Sequence, residues 1–119
     1  MATTEQLPPA PGLPGDEQQE REFARKLAER YRFAFIDLRE QRIDAELFRT
    51  IPADLMFRYN FVPLEVQNNV LAIAAADPGQ VQMSDELPLL LGKKLLIRVA
   101  TARQIGDILK RTEQSQRVL

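Results

Sequence analysis

Residues 61–78 read FVPLEVQNNVLAIAAADP, and the fold prediction starts from this segment. Two apolar runs, Phe61–Val66 and Val70–Ala76, flank a Gln-Asn-Asn triplet. Asparagine tolerates a positive φ better than most residues, so an Asn pair between two apolar runs indicates a β-hairpin. Asp77 and Pro78 follow the second run, and we expect Asp77 to close a turn there.

The residues after the hairpin indicate a helix and another strand. The helix is expected over Ser84–Leu91, with Ser84 as its N-cap and Gly92 as its C-terminal stop. Pro88 is tolerable in the first helical turn, whereas later in the helix it would produce a kink. The next strand is Lys94–Ala100. Together with the second hairpin strand these elements span about thirty residues, the length of one βαβ unit, which pairs parallel strands through a right-handed crossover.

The last helix has a clear start signal. The sequence T-A-R-Q at Thr101–Gln104 is a capping box, in which the first and last side chains satisfy backbone N–H groups at the helix start. Ile105, Ile108 and Leu109 recur at helical spacing and are predicted to form its buried face.

The elements upstream of the hairpin are predicted from caps and periodicity. A first helix is expected over about Glu17–Tyr31, with Asp16 as its N-cap. Phe33–Leu38 is short and β-rich, and indicates a strand. Asp44 then caps a short helix that a proline interrupts, and Ala53–Tyr59 adds further helical turns.

The order of these elements predicts an α/β (α+β) fold. It is a small sandwich with a mixed sheet of three or four strands covered by helices, including the βαβ unit. Residues 17–119 are expected to form one domain, whereas residues 1–16 are rich in proline and are expected to be a disordered leader or linker. Ile73 and Leu96 are predicted to be core strand residues.

The composition excludes several kinds of function. The chain has 119 residues, 16 basic and 17 acidic, with a net charge of −1, so nothing favours nucleic acid as a partner. Histidine and cysteine are absent, which excludes imidazole and thiolate catalysis and Cys/His zinc sites. The apolar runs are far shorter than the ~20 residues of a membrane-spanning helix.

The sequence contains no complete motif of catalysis or cofactor binding. Gly92–Lys94 is the only Gly-Lys step, and it lacks the upstream glycine and the hydroxyl of a phosphate-binding loop. Asp37 has two interpretations: it ends a strand and caps the next turn, or burial raises its pKa for acid–base work. We therefore predict no catalytic, cofactor-binding or metal-ligating residue, and no enzyme activity.

The first helix carries the candidate partner-binding residues. Phe23, Leu27 and Tyr31 fall at i, i+4 and i+8 and form one apolar stripe, next to Arg30. The stripe has two interpretations: it covers the domain's own sheet, or it binds a protein partner, in which case these four residues form the site.

Short motifs follow one another in a fixed order over about two-thirds of the chain. They are Leu27–Ala28, Phe35–Leu38, Ile43–Asp44 with Leu47, Ile51–Pro52, Arg58–Tyr59, Val62–Leu64, Leu71–Pro78 and Gly92. In their order and spacing they resemble the N-terminal domain of the type II secretion and type IV pilus assembly ATPases, the GspE/PilB family, whose N-terminal domains are of the T2SSE_N or MshEN type.

This resemblance implies a non-catalytic N-terminal module of a hexameric, cytoplasmic motor ATPase. Such modules dock the motor to the cytoplasmic part of an inner-membrane platform protein, so the location is peripheral to that membrane through a partner, without direct membrane insertion. The Walker motifs of the family lie downstream of the module. None occurs here, so the chain is expected to be truncated or a stand-alone copy.

An alternative implied by the same resemblance is a nucleotide-sensing regulatory domain. Some family members bind cyclic di-GMP through a tandem motif built around R-L-G-x-x-L and a later L-x-x-x-L-x-x-Q, upstream of the α/β portion. This chain has a proline-rich segment and one helix in that place, without R-L-G. The resemblance therefore implies no cyclic di-GMP binding and assigns no ligand residues.

Overall fold

A computed structural model describes the backbone of residues 14–117 and the side chains of residues 17–111. In that part of the chain the elements are, in order, α1 (Pro14–Tyr31), β1 (Ala34–Phe35), a 3₁₀ turn (Leu38–Glu40), α2 (Ala45–Thr50), α3 (Ala53–Tyr59), β2 (Phe61–Gln67), β3 (Val70–Ala75), α4 (Val81–Leu91), β4 (Lys94–Val99) and α5 (Ala102–Arg117). No helix in the described residues is long and apolar enough to cross a membrane.

The four strands form one mixed sheet in the order β1-β4-β3-β2. β3 and β4 are parallel, in register from Val70 opposite Lys94 to Ala75 opposite Val99. β2 is antiparallel to β3, and β1 pairs with β4 in parallel over two residues. The predicted fold class, element order and βαβ unit are confirmed.

The β2–β3 hairpin turns where the Asn pair predicted it. Asn68 and Asn69 have φ values of 53° and 64°, the left-handed conformation that a tight two-residue hairpin turn requires at both central positions. Pro63 lies within β2, next to an irregularity in the register. β2 is an edge strand, and edge strands and bulges are the places in a sheet where proline is tolerated.

Helix α4 begins at Val81, so the prediction of Ser84 as N-cap is wrong. The turn before the helix explains this early start. The Asp77 side chain accepts from the Gly79 N–H at 3.1 Å, so Asp77 closes a turn as predicted. The Asp77 carbonyl also accepts from the Gln80 N–H, and the helix begins at the next residue. Pro88 is consequently in the helix interior, where it cannot donate to the Ser84 carbonyl.

The C-terminus of α4 follows the prediction. Gly92 has a φ of 68° and its N–H donates to the Pro88 carbonyl at 2.9 Å. This left-handed glycine ends the helix and directs the chain into β4.

Helix α5 forms half of the predicted capping box. The Thr101 hydroxyl accepts from the Gln104 N–H at 3.1 Å, as predicted. The Gln104 side chain, however, accepts from the Leu38 N–H at 2.9 Å and donates to Asp37 at 2.8 Å, and thereby joins α5 to the 3₁₀ turn. The buried face of the helix consists of Ile105, Ile108 and Leu109, as predicted.

Strand β1 is only two residues long, although six were predicted. Asp37 ends the extended region because its side chain accepts from the Arg39 N–H and caps the 3₁₀ turn. The hydrogen bond from the Arg39 side chain lowers the pKa of Asp37 well below its usual range. The capping interpretation is confirmed, and the interpretation of a pKa raised by burial is wrong.

The helices before the hairpin begin close to their predicted caps, with one exception. Asp44 caps α2 by accepting from the N–H groups of Glu46 and Leu47, as predicted. α1 begins at Pro14, so Asp16 lies inside the helix and is not its N-cap; proline suits the first helical turn. The rest of the predicted disordered leader, residues 1–13, lies outside the described residues.

The main hydrophobic core surrounds β3, which is buried on both faces from Leu71 onward. Ile73 is fully buried as predicted, but Leu96 is 44% exposed, so its assignment to the core is wrong. Alternate residues of a strand point to opposite faces, and in β4 it is Leu95 and Ile97 that pack on the core.

Candidate interaction site at helix α1

Helix α1 packs beside the carboxyl ends of β3 and β4 and the start of α5, and a cleft of about 300 Å³ lies along this junction. The lining residues are Gln19, Glu20, Phe23, Ala24, Leu27, Ala76 and Ala100–Arg103. The volume is at the lower limit of small-molecule sites, which span about 300–1,000 Å³.

The inner face of α1 consists of small residues. Ala24 and Ala28 are each 3% exposed and pack on Val99 of β4, with Leu27 and Phe35 half-buried around them. Alanine allows the helix backbone to approach the sheet closely, but it buries little apolar area. Among the described residues the main core cluster contains none from α1, so this helix adds a separate layer to a core that is already complete.

A bidentate ion pair connects α1 to α5. The Arg103 Nε and Nη2 atoms donate to the two carboxylate oxygens of Glu20 at 2.8 and 2.9 Å. The Arg103 side chain is 17% exposed and that of Glu20 is 35% exposed, so the pair is partly shielded from water. Paired parallel hydrogen bonds of this kind fix orientation as well as adding energy.

The C-terminus of α1 is closed by a Schellman motif. The Phe33 N–H donates to the Ala28 carbonyl at 2.8 Å and the Arg32 N–H to the Glu29 carbonyl at 3.2 Å. Arg32 has a φ of 62°, a left-handed conformation usually adopted by glycine at this position. The sharp reversal sets the angle between α1 and β1.

Tyr31, the last residue of α1, lies against the turn that precedes α4. Its ring and hydroxyl lie where a side chain on Gly79 would project, so any larger residue there would have to displace Tyr31. Tyr31 is still 42% exposed. Together with the ion pair in the first half of the helix, this contact attaches α1 near both ends.

The structure separates the four predicted partner-binding residues. Phe23 and Leu27 line the cleft, and Phe23 is 65% exposed whereas Leu27 is half-buried. Tyr31 lies at the end of the helix against Gly79, and Arg30 is exposed but does not line the cleft. The sheet is covered by the alanines beside the stripe.

Sequence reasoning missed Glu20 and Arg103. They lie 83 residues apart, and neither carries a local signal that could pair them. Acidic residues at the start of a helix such as α1 suit its dipole, and Arg103 is an inner position of the Thr101–Gln104 capping box, so neither residue indicates the other. No cluster of three or more metal-ligating side chains occurs in the portion of the chain that the structure describes.

Among protein families, the MshEN domain matches this chain over residues 31–119. α1 therefore precedes the matched region almost entirely. Comparison with curated proteins gives no match.

Solved structures with the same fold include "Structure of MshE with cdg", with a TM-score of 0.69 and 21% identity over 75% of this chain and 65% of that one. The N-terminal domain of XpsE matches in two crystal forms, each with a TM-score of 0.65 over 77% of this chain, at 23% and 22% identity. The chain spans 65% of the XpsE domain as well. On the family match, this chain belongs to the MshEN domain family, the type of domain found at the N-terminus of the type II secretion and type IV pilus assembly ATPases.

Proposed function

We propose that this domain is a non-catalytic docking module that attaches a motor ATPase to the cytoplasmic part of an inner-membrane platform protein. One observation carries the proposal: α1 buries two alanines and leaves its largest apolar side chain, Phe23, 65% exposed. An aromatic side chain this exposed at the edge of a cleft provides an apolar surface for a partner.

The composition of this surface suits a protein partner. Phe23 and Tyr31 provide aromatic area, and Arg30 is an exposed cation one residue before Tyr31. Aromatic residues and arginine are enriched among the residues that dominate binding energy at interfaces. Phe23 and Leu27 also border the cleft, so a partner side chain that entered it would contact both.

Membership of the MshEN family supports a role in a larger assembly, and the proposal includes that role. In this proposal the parent protein is a hexameric cytoplasmic ATPase whose catalytic domain lies elsewhere in its chain. The module then acts next to the inner membrane through its partner, without inserting into the bilayer.

Phe23→Ser tests the proposal. We expect it to weaken binding of the platform protein's cytoplasmic domain at least tenfold in calorimetry, since a central aromatic residue is worth ~2 kcal/mol or more at an interface. Phe57→Ser is the matched control, because Phe57 is 46% exposed on α3, which contributes no residue to the cleft. Equal affinity of the Phe23 variant and the wild type would refute the assignment of α1.

A second candidate function is nucleotide sensing, favoured by the structure of MshE with cdg, an abbreviation of cyclic di-GMP. Two features of this chain argue against nucleotide sensing. The R-L-G motif is absent, and the guanidinium beside the cleft, that of Arg103, is engaged by Glu20. Calorimetry with cyclic di-GMP and with ATP is the test; binding of either at micromolar affinity would reverse the order of the two proposals.

A further inference from the structure

Strand β4 has an open edge over most of its length. On one side, β3 pairs with it from Lys94 to Val99, but on the other side β1 pairs only with Arg98 and Val99. In the part of the chain that the structure describes, the stretch Lys94–Ile97 therefore has no strand beside it on the β1 side. Another extended segment placed there, end to end with β1, would extend the sheet.

The existing hydrogen bonds show which backbone groups of β4 face this open edge. The Lys94 N–H donates at 3.1 Å to the chain just before β3, whereas the Val99 carbonyl accepts at 2.9 Å from the chain just after β1. A strand residue in a parallel ladder directs its N–H and its C=O to the same neighbour, and successive residues alternate between the two sides. Leu95 and Ile97 therefore direct their backbone groups to the side of β1.

Three of these backbone groups have no hydrogen-bond partner among the described residues. They are the N–H and the C=O of Leu95 and the N–H of Ile97, because β1 begins to pair only at Arg98. Ile97 is only 8% exposed, and the N–H groups of buried residues are rarely left unpaired in native proteins. The three groups form a row of donor, acceptor and donor that suits an added strand. The β2 edge differs, since Pro63 and its irregular register oppose strand addition.

The side chains of β4 determine the chemistry of the segment that suits this edge. Leu95 and Ile97 pack on the core, and alternation places Lys94, Leu96 and Arg98 on the opposite face. Lys94 and Leu96 are exposed and Arg98 is half-buried, and neither cation forms an ion pair with a described residue. An added strand would therefore continue the core with apolar side chains and place acidic side chains beside the cations. The cations oppose a second copy of β4, because two antiparallel copies centred on Leu96 would place Lys94 opposite Arg98.

We propose that the open edge of β4 binds an extended segment of a partner protein, acidic on one face and apolar on the other, which adds to the sheet beside Lys94–Ile97. The backbone row gives this contact its affinity, and the two cations select an acidic segment. The contact is short, so binding is reversible and weak. It is separate from the α1 surface, because α1 packs on Val99 at the other end of the strand.

Amide exchange of the full chain, read by NMR with a short peptide of alternating glutamate and valine, tests the proposal. In the free chain the N–H groups of Leu95 and Ile97 should exchange faster than those of Leu96 and Arg98, which bond to β3. Saturating peptide should slow exchange at Leu95 and Ile97 by about tenfold or more. No effect on these two amides at about 1 mM peptide, or an equal effect of a lysine–valine peptide, would overturn the proposal.

Methylation of the peptide backbone tests strand addition itself. In one peptide every glutamate nitrogen is methylated, and in a second every valine nitrogen. Only one of these two sets of N–H groups faces β4 in an added strand, so one peptide should lose binding by about tenfold or more while the other still binds. Loss of binding in both peptides, or in neither, would exclude an added strand.

Charge reversal tests the role of the two cations. Lys94→Glu with Arg98→Glu should weaken binding of the glutamate–valine peptide by about tenfold or more and should favour the lysine–valine peptide. Lys110→Glu with Arg111→Glu is the matched control, because these exposed cations of α5 carry the same charge, and it should bind like the wild type. A β4 variant that is folded by circular dichroism and binds equally well would contradict the proposal. Phe23→Ser should leave peptide binding unchanged, so this proposal and docking at α1 are tested independently.

Discussion

Asp37 illustrates how a single side chain fixes local structure here. Its carboxylate accepts from the backbone and side chain of Arg39 and from the Gln104 amide. The residue therefore stops β1, starts the 3₁₀ turn and attaches α5. These acceptor roles need the ionised form, which is why the pKa of Asp37 lies below its usual range.

This pKa makes stability depend on pH in a defined direction. Because the folded pKa is lower than the unfolded value of about 3.9, the contribution of Asp37 is complete above that value and is lost as the pH falls below it. We expect the free energy of unfolding to fall between pH 6 and pH 3 by about 1 kcal/mol more in the wild type than in Asp37→Asn. The figure is small because the Arg39 side chain is 56% exposed and water screens the pair.

Denaturant unfolding of the two proteins at pH 6 and pH 3 measures this difference. Asp37→Asn keeps an oxygen that can cap the turn, so it isolates the effect of the charge. Identical pH dependence in the two proteins would show that the Asp37 charge is not coupled to folding.

Ile73 and Leu96 are strand residues that should differ in how much their side chains contribute to the free energy of unfolding. Ile73→Ala should cost ~2–5 kcal/mol, because it opens a cavity at a fully buried site. Leu96→Ala should cost less than ~1 kcal/mol, since nearly half of the Leu96 side chain already meets water. Thermal or denaturant unfolding measures both. A loss of stability at Leu96 equal to that at Ile73 would contradict the described register of β4.

Among the elements, those with local signals were predictable and those fixed by distant contacts were not. The Asn pair, Asp44 and Gly92 each determine backbone conformation within a few residues, and the structure places a turn, a helix start and a helix end there. The early start of α4 depended on the turn before it. The short β1 depends on Asp37. Capping is one of the two interpretations of Asp37 from the sequence, but the predicted strand continues past it to Leu38.

The candidate site also combines features with a local sequence signal and features that depend on distant contacts. The 3.6-residue period of the sequence predicts the apolar stripe of α1. It does not predict which residues face the sheet, because the buried Ala24 and the exposed Phe23 are adjacent on the helix. The partner of Arg103 was also invisible, since Glu20 is 83 residues away. Likewise, the apolar run of β4 gave no indication that Leu96 would be the exposed member.

Helix α1 should be the most easily opened element of the domain. It buries mainly two alanines, and its strongest polar attachment is the bidentate pair. Glu20→Gln keeps the side-chain shape but removes the charge, and should cost about 1 kcal/mol for a pair this exposed. We therefore expect amide exchange in α1 to become ~5-fold faster, while exchange in β3 is unchanged.

Hydrogen exchange read by mass spectrometry separates the two regions. Glu22→Gln is a suitable control, because the Glu22–Arg25 contact at 3.9 Å is exposed on both sides. Faster exchange in β3 as well would mean that α1 opens only with the whole domain.

At the scale of the whole molecule, two of the exposed apolar surfaces in the described part of the chain belong to different helices. One is the outer side of α1 with the cleft beside it, and the other is the end of α4. The family match covers the core and α4, whereas α1 lies almost entirely before it. The docking proposal uses the α1 surface.

Hydrogen exchange of the full chain with and without the platform protein's cytoplasmic domain tests the docking proposal most directly. It predicts that protection on binding concentrates in residues 17–31 and the start of α5, where the cleft is lined. Protection confined to α4, or no change anywhere at saturating partner concentrations, would contradict it.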